Sequence, residues 1–511
     1  MKVVRIVLSL FFIVILSVVF AGTDKASAAA KLKTILGADP INMDPPALAT
    51  WQDNLIDSQI FQGLVTYDYA SKPPHPIIPE VAKSYEISKD GRTITFKLNP
   101  GIQFHHDYGE LTSEDVVFSI QRHFDKKVTS LSKSQLVDLD RVEALDKYTV
   151  KFSLKRPVAF QFMQNLAYLN TGFLVSKKAC TKLGDKVQRT PVGTGPYYFD
   201  QWLPGEKVVL KKFSNYWKTP AKIDEIEFWV MPEETVALGA LEKGELDIVP
   251  LIQLGSYERA VEIKNKEISI AEAAGDAKMF VFYINHQTKP MDDLRVRKAL
   301  AHALDLKGIV ARMGQQVRYW PSAMSPATFA ATTEFWKYDY DLEKAKKLLA
   351  EAGYPKGFEL ELIYKKGGLY EPITLEVANC WKKVVDVKVK LVPDTIFGKV
   401  LKQEGKQHVG HWGMTCYDPS LWADFYVTGS SRQASHYSNP KLDEVISKAL
   451  QALDEKEAQK YWREFQRMVT EDVVNYWVCA GTSLIAKKNK VKGVVVTPQP
   501  GVIMLEKAYI E

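Results

Sequence analysis

The stretch Val192–Trp217, VGTGPYYFDQWLPGEKVVLKKFSNYW, constrains the fold of this chain more than any other. It begins like a phosphate loop, but the pattern stops short. A dinucleotide loop needs a third glycine at G-x-G-x-x-G so that a helix can start against the pyrophosphate. Here Gly193-Thr194-Gly195 leads into Pro196-Tyr197-Tyr198, and Tyr198 occupies the third glycine's place. The run Lys207–Phe213 that follows is rich in β-formers. The stretch therefore reads as a tight turn, a strand, a Pro204-Gly205 turn and a second strand, with no catalytic group in it.

The amino terminus reads as an address. Lys2 and Arg5 precede the apolar run Ile6–Phe20, which is too short and wrongly flanked to span a membrane. Ala26-Ser27-Ala28 and Ala28-Ala29-Ala30 offer small-residue cleavage patterns. With no cysteine near that point, a lipid anchor is not expected. The expected location of the mature chain is the periplasm. Roughly 480 residues then remain, enough for two or three lobes sharing a large core. The formal charge of +6 is mild and its basic residues are scattered. Nucleic-acid binding calls for a concentrated basic face, which is absent from the sequence. Four cysteines, Cys180, Cys380, Cys416 and Cys479, match no zinc spacing and leave three full disulfide pairings open.

Strand-like and helix-like segments alternate without a repeat, which points to an α/β protein. Thr93–Leu98 and Thr149–Leu154 alternate apolar and polar residues as half-buried strands do. Phe358–Ile363 and Val387–Val392 also read as strands. Thr112 with Asp115 opens a helix, and Asp293, Asp341, Asn439-Pro440 and Asp454 with Glu457 open later ones. No linker is rich in Pro, Gly and Ser, so the lobes must be joined by short crossings.

Motifs for nucleotide, zinc-protease, serine-hydrolase and C-x-x-C chemistry are missing. A secreted hydrolase remains the weaker alternative, because triads and carboxylate pairs meet in space and not in sequence. His105-His106-Asp107 is expected on a strand, where neighbouring side chains point to opposite faces and cannot share an ion. His408 and His411, with Cys416 nearby, are a sharper metal candidate. Their spacing suits a helix, while Gly410 and Trp412-Gly413 favour strand or loop.

Five further stretches join the opening one in a consistent order. They are Asn42–Pro45 with Phe61–Val65; Ser84–His105 with Leu111–Arg122; Asn285 to Asp305, containing DLRVRKAL; Tyr340–Leu362; and Asp418-Pro419 with Tyr437–Asp443. Together they resemble the peptide/nickel/oligopeptide class of extracytoplasmic solute-binding proteins, family 5, the capture subunits of ABC importers. The resemblance implies a two-lobed periplasmic-binding-protein fold of type II, cluster C, with an inserted subdomain. Lobe I would comprise 31–67, 190–275 and 484–511, the insertion 68–189, and lobe II 276–483. A solute would be enclosed between the lobes. The implied partners are a small-molecule or peptide solute and an ABC permease with its ATPase subunits. The chain would work as a monomer, without cofactor or catalysis.

Cargo has to be read from cleft-facing residues. In peptide-binding members of the class, an aspartate three residues before the acidic-Pro pair holds the ligand's α-amino group. That position here is Thr415, which carries no charge. The class's carboxylate-binding arginine falls near Tyr364, with Lys365 and Lys366 beside it. Trp412 and Thr50-Trp51-Gln52 are expected to line opposing walls, with Tyr417 and Asp418 at the Asp-Pro turn. The cargo is thus expected to be a short or modified peptide, or a non-peptide such as an oligosaccharide or an opine-like compound. A metal or metal complex at His408 and His411 is the other possibility.

Overall fold

The computed structural model describes residues 29–511 except Gly405, Lys406, Cys416 and Ser431. The proposed signal segment and Cys416 therefore lie outside the described residues. Cys180, Cys380 and Cys479 are free thiols.

Local chemistry sets the element boundaries. Thr112 and Asp115 form a reciprocal capping box at the helix Ser113–Arg122. Asp293, Asp341, Asn439 and Asp454 each accept a backbone N–H at the start of the helices Leu294–His302, Leu342–Glu351, Pro440–Leu450 and Glu455–Glu471. The Leu342–Glu351 helix ends just before Gly353, at φ 93°, a left-handed conformation that suits glycine. The strands Thr93–Leu98 and Thr149–Leu154 pair with each other in register Thr93↔Ser153 to Lys97↔Thr149.

Four larger sheets organise the chain. Lys31–Leu36, Glu225–Val230, Lys207–Lys212 and Tyr197–Leu203 form a four-stranded sheet in that order. A three-stranded sheet runs Ile248–Leu251, Leu484–Lys488, Ile268–Glu272. Residues 82–154 supply an antiparallel sheet of four strands. The fourth sheet has six strands, in the order Val317–Tyr319, Asn475–Gly481, Lys278–Ile284, Val409–Thr415, Glu359–Lys365, Asp386–Val392. The chain enters it between Glu272 and Lys278 and leaves it between Gly481 and Leu484. Trp381, Trp422, Trp462 and Trp477 are fully buried around this sheet. Each large apolar side chain so buried contributes on the order of 2–3 kcal/mol by area removed from water.

The expected hairpin is present: Tyr197–Leu203 pairs antiparallel with Lys207–Lys212 across Gly205, at φ 74°. The glycines before it are there for close approach. A Cβ on Gly193 would stand 2.1 Å from the Ile60 carbonyl oxygen, and one on Gly195 would stand 2.6 Å from that of Gln59. This turn is pressed against the carboxyl end of the helix Trp51–Ile60, and Gly195 N–H donates to Ile60 O at 2.8 Å.

His105 completes the clamp and corrects an expectation. His105–Asp107 is a 3-10 turn and not a strand, with His106 and Asp107 at φ 53° and 57°. The fully buried His105 ring accepts from Gly193 N–H at Nδ1 (3.3 Å) and donates from Nε2 to Gly195 O (3.0 Å). Burial holds its pKa down to about 3, so it stays neutral and keeps that tautomer. The turn at His105 is thereby tied to the loop that fixes the Trp51–Ile60 helix.

Candidate functional site

The amino end of that same helix opens a cavity of about 560 Å³. On one wall stand Thr50, Trp51 and Gln52, with Gln499 and Pro500 beside them. Thr50 caps the helix. Asp53 accepts N–H bonds from Ile41 (2.8 Å), Ala49 (3.1 Å) and Thr50 (2.9 Å), which pins the preceding loop. The half-buried Trp51 ring lies over Gly501, where a Cβ would come within 2.5 Å of Cε3. Gly501 is also at φ 85°, so both space and backbone demand glycine there.

The opposite wall is the end of the six-stranded sheet. Strand register aligns Lys278 with Thr415 on one side and Gly481 on the other, and all three line the cavity. The lysine stem runs between two glycines. A Cβ on Gly413 would be 2.8 Å from Lys278 Cε, and one on Gly481 would be 3.2 Å from Lys278 Cγ. Lys278 Nζ donates to Tyr370 Oη at 2.9 Å, and Tyr370 Oη also accepts from Gly413 N–H at 3.3 Å. Lys365 lines the same space, with its Nζ 5.3 Å from the Tyr370 ring centroid; Lys278 Nζ lies 5.2 Å from it. Lys365 pairs with Asp394 at 2.8 Å.

Thr415 also borders a smaller cavity of about 280 Å³, walled by Trp412, Met414, Lys402, Arg432 and Tyr168 among others. Trp412 packs edge-on against Phe397 and Phe425, with Lys402 Nζ 5.4 Å from its ring centroid. Burial, reinforced by Arg432, lowers the pKa of Lys402. A separate hollow of about 560 Å³ lies between Thr66–Ala70 and Gly493–Tyr509. No residue of the six-stranded sheet lines it, so it sits wholly to one side of the two chain crossings.

Of the residues singled out from sequence, Thr50, Trp51, Gln52, Lys365 and Thr415 meet at the larger cavity, and Trp412 reaches the adjoining one. Three do not line either. Tyr364 is buried in its strand, with its hydroxyl bonded to Glu371 at 3.3 Å. Tyr417 is buried in an aromatic cluster, its ring 5.5 Å from Tyr67, 5.7 Å from Tyr69 and 6.0 Å from Tyr168. Asp418 is buried too: it caps the short helix Pro419–Ala423 and accepts from Gln161 and from the Ser420 hydroxyl. Tyr417 and Asp418 thus fasten the turn after the Val409–Thr415 strand to Tyr69, Gln161 and Tyr168, far away in the chain. An apolar ring and a capping carboxylate are drawn into contacts between segments that no local pattern announces.

His408 and His411 fall at and beside the strand Val409–Thr415, not on a helix. His411 is fully buried, stacks on Phe282 at 4.1 Å and shares a hydrogen bond with Thr374 at Nδ1. His408 accepts from Glu361 N–H at 3.0 Å and bonds Lys289 O at 3.1 Å. Burial pushes the His411 pKa down to about 3, with Lys278 adding to the fall. Among the described residues no cluster of three His, Cys, Asp or Glu side chains could hold a metal.

Sequence reasoning missed Lys278, Tyr370, Gln316 and Gln499. The signal for Lys278 was present: KMFVFYI carries its only charge at the first position, where a strand leaves the core.

Comparison with known proteins gives the family of the chain. The family model for bacterial extracellular solute-binding proteins, family 5 (middle), matches residues 76–434. A dipeptide-binding protein of Escherichia coli K12 is 29% identical over 486 residues, covering 86% of this chain and 90% of its own. A glutathione-binding protein of Pectobacterium atrosepticum is 28% identical over 482 residues, covering 91% of each. The solved structure of MoaA from A. tumefaciens R10 with mannopinic acid superposes with a TM-score of 0.79 at 25% identity, covering 95% of this chain and all (100%) of that one. The ABC transporter substrate-binding protein CtaP from Listeria monocytogenes superposes with a TM-score of 0.82 at 23% identity, covering 94% and 100%. The fold is thus the two-lobed α/β arrangement of such binding proteins with an added subdomain, and this chain belongs to family 5 of the bacterial extracellular solute-binding proteins.

Proposed function

We propose that this chain is the solute-capturing component of an ABC importer. It closes around a small organic cargo and hands it to a permease driven by paired ATPases, without chemically altering it. Lobe I comprises 31–67, 190–275 and 484–511, lobe II comprises 276–483, and 68–189 is an insertion on lobe I. The observation that carries the reading is the position of the larger cavity. Its walls are Thr50–Gln52 and Gln499-Pro500 on one side and Lys278, Lys365, Tyr370 and Thr415 on the other. These walls belong to sheets and loops joined by the two short crossings near 275 and 482. Movement about such crossings opens and closes a space between them.

The chain is exported by a cleaved amino-terminal signal and works in the periplasm as a monomer without a lipid anchor. Among the described residues no helix is long and apolar enough to cross a membrane. The cargo is a short or modified peptide or an opine-like compound. Relatives described as binding dipeptides, glutathione and mannopinic acid support that range.

Native mass spectrometry of freshly purified protein, followed by small-angle scattering with and without the cargo it releases, tests the proposal. The expected result is a tightly retained small solute whose removal expands the particle. A protein that retains nothing, gains no thermal stability from any candidate solute and turns one of them over would overthrow it.

A further inference from the structure

We infer that the cleft selects an anion: a carboxylate-bearing solute that also offers hydroxyl or amide donors, held by Lys278 and not by an ammonium anchor. This rests on the solute-binding reading above and names the cargo's chemistry.

The charge inventory is one-sided. Among the described residues, the charged groups lining the larger cavity are Lys278, Lys365 and Asp394. The adjoining cavity adds Lys402 and Arg432, the latter paired with Asp424 at 3.4 Å, and no lining carboxylate among the described residues. Among the described residues Asp394 is the only acid lining either cavity. It is already paired with Lys365 at 2.8 Å, and its side chain is 67% exposed. Among the described residues Lys278 makes no ion pair; it donates to a neutral phenol, Tyr370 Oη. An ammonium has three donors, so two remain for a ligand.

The lysine is also held in place. Its stem lies in the groove left by Gly413 and Gly481, and its strand neighbours Thr415 and Gly481 both face the cavity. A fixed ammonium in a cleft that sheds water on closing carries a desolvation cost that only a counter-ion offsets. A ligand carboxylate beside Lys278 and Lys365 supplies it through charge-assisted hydrogen bonds. A ligand ammonium in the same place would meet two cations, Lys278 and Lys365, and no free carboxylate among the described residues.

A second observation concerns the uncharged part of the cargo. Gln316 and Gln499 line the cavity, and the side-chain oxygen of each is buried without a partner. The Gln316 amide is oriented by its Nε2, which donates to Gln253 O at 3.0 Å, so its oxygen is the free end. Buried acceptors of this kind are satisfied by donors brought in by the ligand, such as hydroxyl or amide N–H groups.

The test uses the full mature chain and two matched probe pairs: gluconate against glucitol, and N-acetyl-alanylalanine against alanylalanine amide. Affinities are measured by calorimetry for the wild type, Lys278→Met and Lys365→Gln, with melting temperatures as a check on folding. The acid of a pair that binds should exceed its counterpart by about tenfold or more, as one charge-assisted contact implies. Lys278→Met should erase that preference, which a purely structural role would leave in place. Lys365→Gln should weaken it if Lys278→Met does not fold. A counterpart that binds as well as its acid, or acid binding unchanged in both variants, overturns the inference while leaving solute capture intact. If no probe binds, the cargo released from purified protein decides. A carboxylated cargo supports the inference, a neutral or cationic one overturns it, and the absence of any cargo counts against solute capture itself.

Discussion

Asp418 lets a sequence-derived role be weighed against a structural one with numbers. Its carboxylate is buried and accepts from Gln161, from Ser420 N–H at 2.9 Å and from the Ser420 hydroxyl at 2.6 Å. Burial raises its pKa from 3.8 to about 6, against the lowering effect of those bonds. A carboxyl with a raised folded pKa keeps a proton that the unfolded chain has already released between about pH 4 and pH 6. Stability therefore falls as pH rises through that window and is constant above it. A shift of about two units at ~1.4 kcal/mol each makes the ionised group cost roughly 3 kcal/mol at pH 7.5. Asp418→Asn removes the ionisation. Asparagine caps a helix about as well as aspartate, and Gln161 can turn its amide oxygen toward the new NH₂. One acceptor for the Ser420 hydroxyl is lost, at about 1 kcal/mol, which leaves a net gain of about 2 kcal/mol at pH 7.5. With an unfolding entropy near 2 cal/mol/K per residue, that raises the melting temperature of a chain this long by about 2 °C. Differential scanning calorimetry from pH 4 to pH 8 reads it. The difference between variant and wild type should grow from pH 4 to pH 6 and then level off. A variant that melts lower than wild type at pH 7.5, or a difference independent of pH, would refute the reasoning. If Asp418 instead bound cargo directly, affinity would collapse with little change in the unliganded melting temperature.

Trp51→Ala should weaken cargo binding by about 1–3 kcal/mol while moving the melting temperature little, measured by calorimetric titration. In Trp412→Ala the loss of packing against Phe397 and Phe425 should show first as a lower melting temperature. Gly193→Ala places a Cβ 2.1 Å from a backbone oxygen that cannot turn aside, and should cost about 3 kcal/mol in denaturant unfolding; a loss below ~1 kcal/mol would mean the helix end yields freely. Asp57 is buried with neither carboxyl oxygen partnered, and burial, with Asp53 and Asp44 nearby, holds its pKa well above the ordinary carboxylate range. Asp57→Asn should therefore stabilise the protein more at pH 8 than at pH 4, and an equal effect at both would contradict that.

Much of this molecule is written locally. A cap and its partner lie three residues apart, a β-turn spans four, and strand alternation repeats every two. Such features act before any distant segment arrives. Thr112 with Asp115, the Pro204-Gly205 hairpin, and the helices opened by Asp293, Asp341, Asn439 and Asp454 were all legible for that reason. So was the lack of a carboxylate at Thr415. What sequence could not supply is register and burial between segments far apart in the chain. Only the pairing of Lys278 with both Thr415 and Gly481 sets a lysine on the cavity wall and gives its stem a groove between glycines. Only packing against Tyr67, Tyr69 and Gln161 withdraws Tyr417 and Asp418 from the cleft. The sequence by itself determined where helices, turns and strands fall, because those patterns are local and each favours one conformation, and the resemblance of its motif blocks to a known family supplied the kind of protein. The tertiary structure decided which charges face the cargo, because a strand's register fixes its neighbours by hydrogen bonds that no short window of sequence contains.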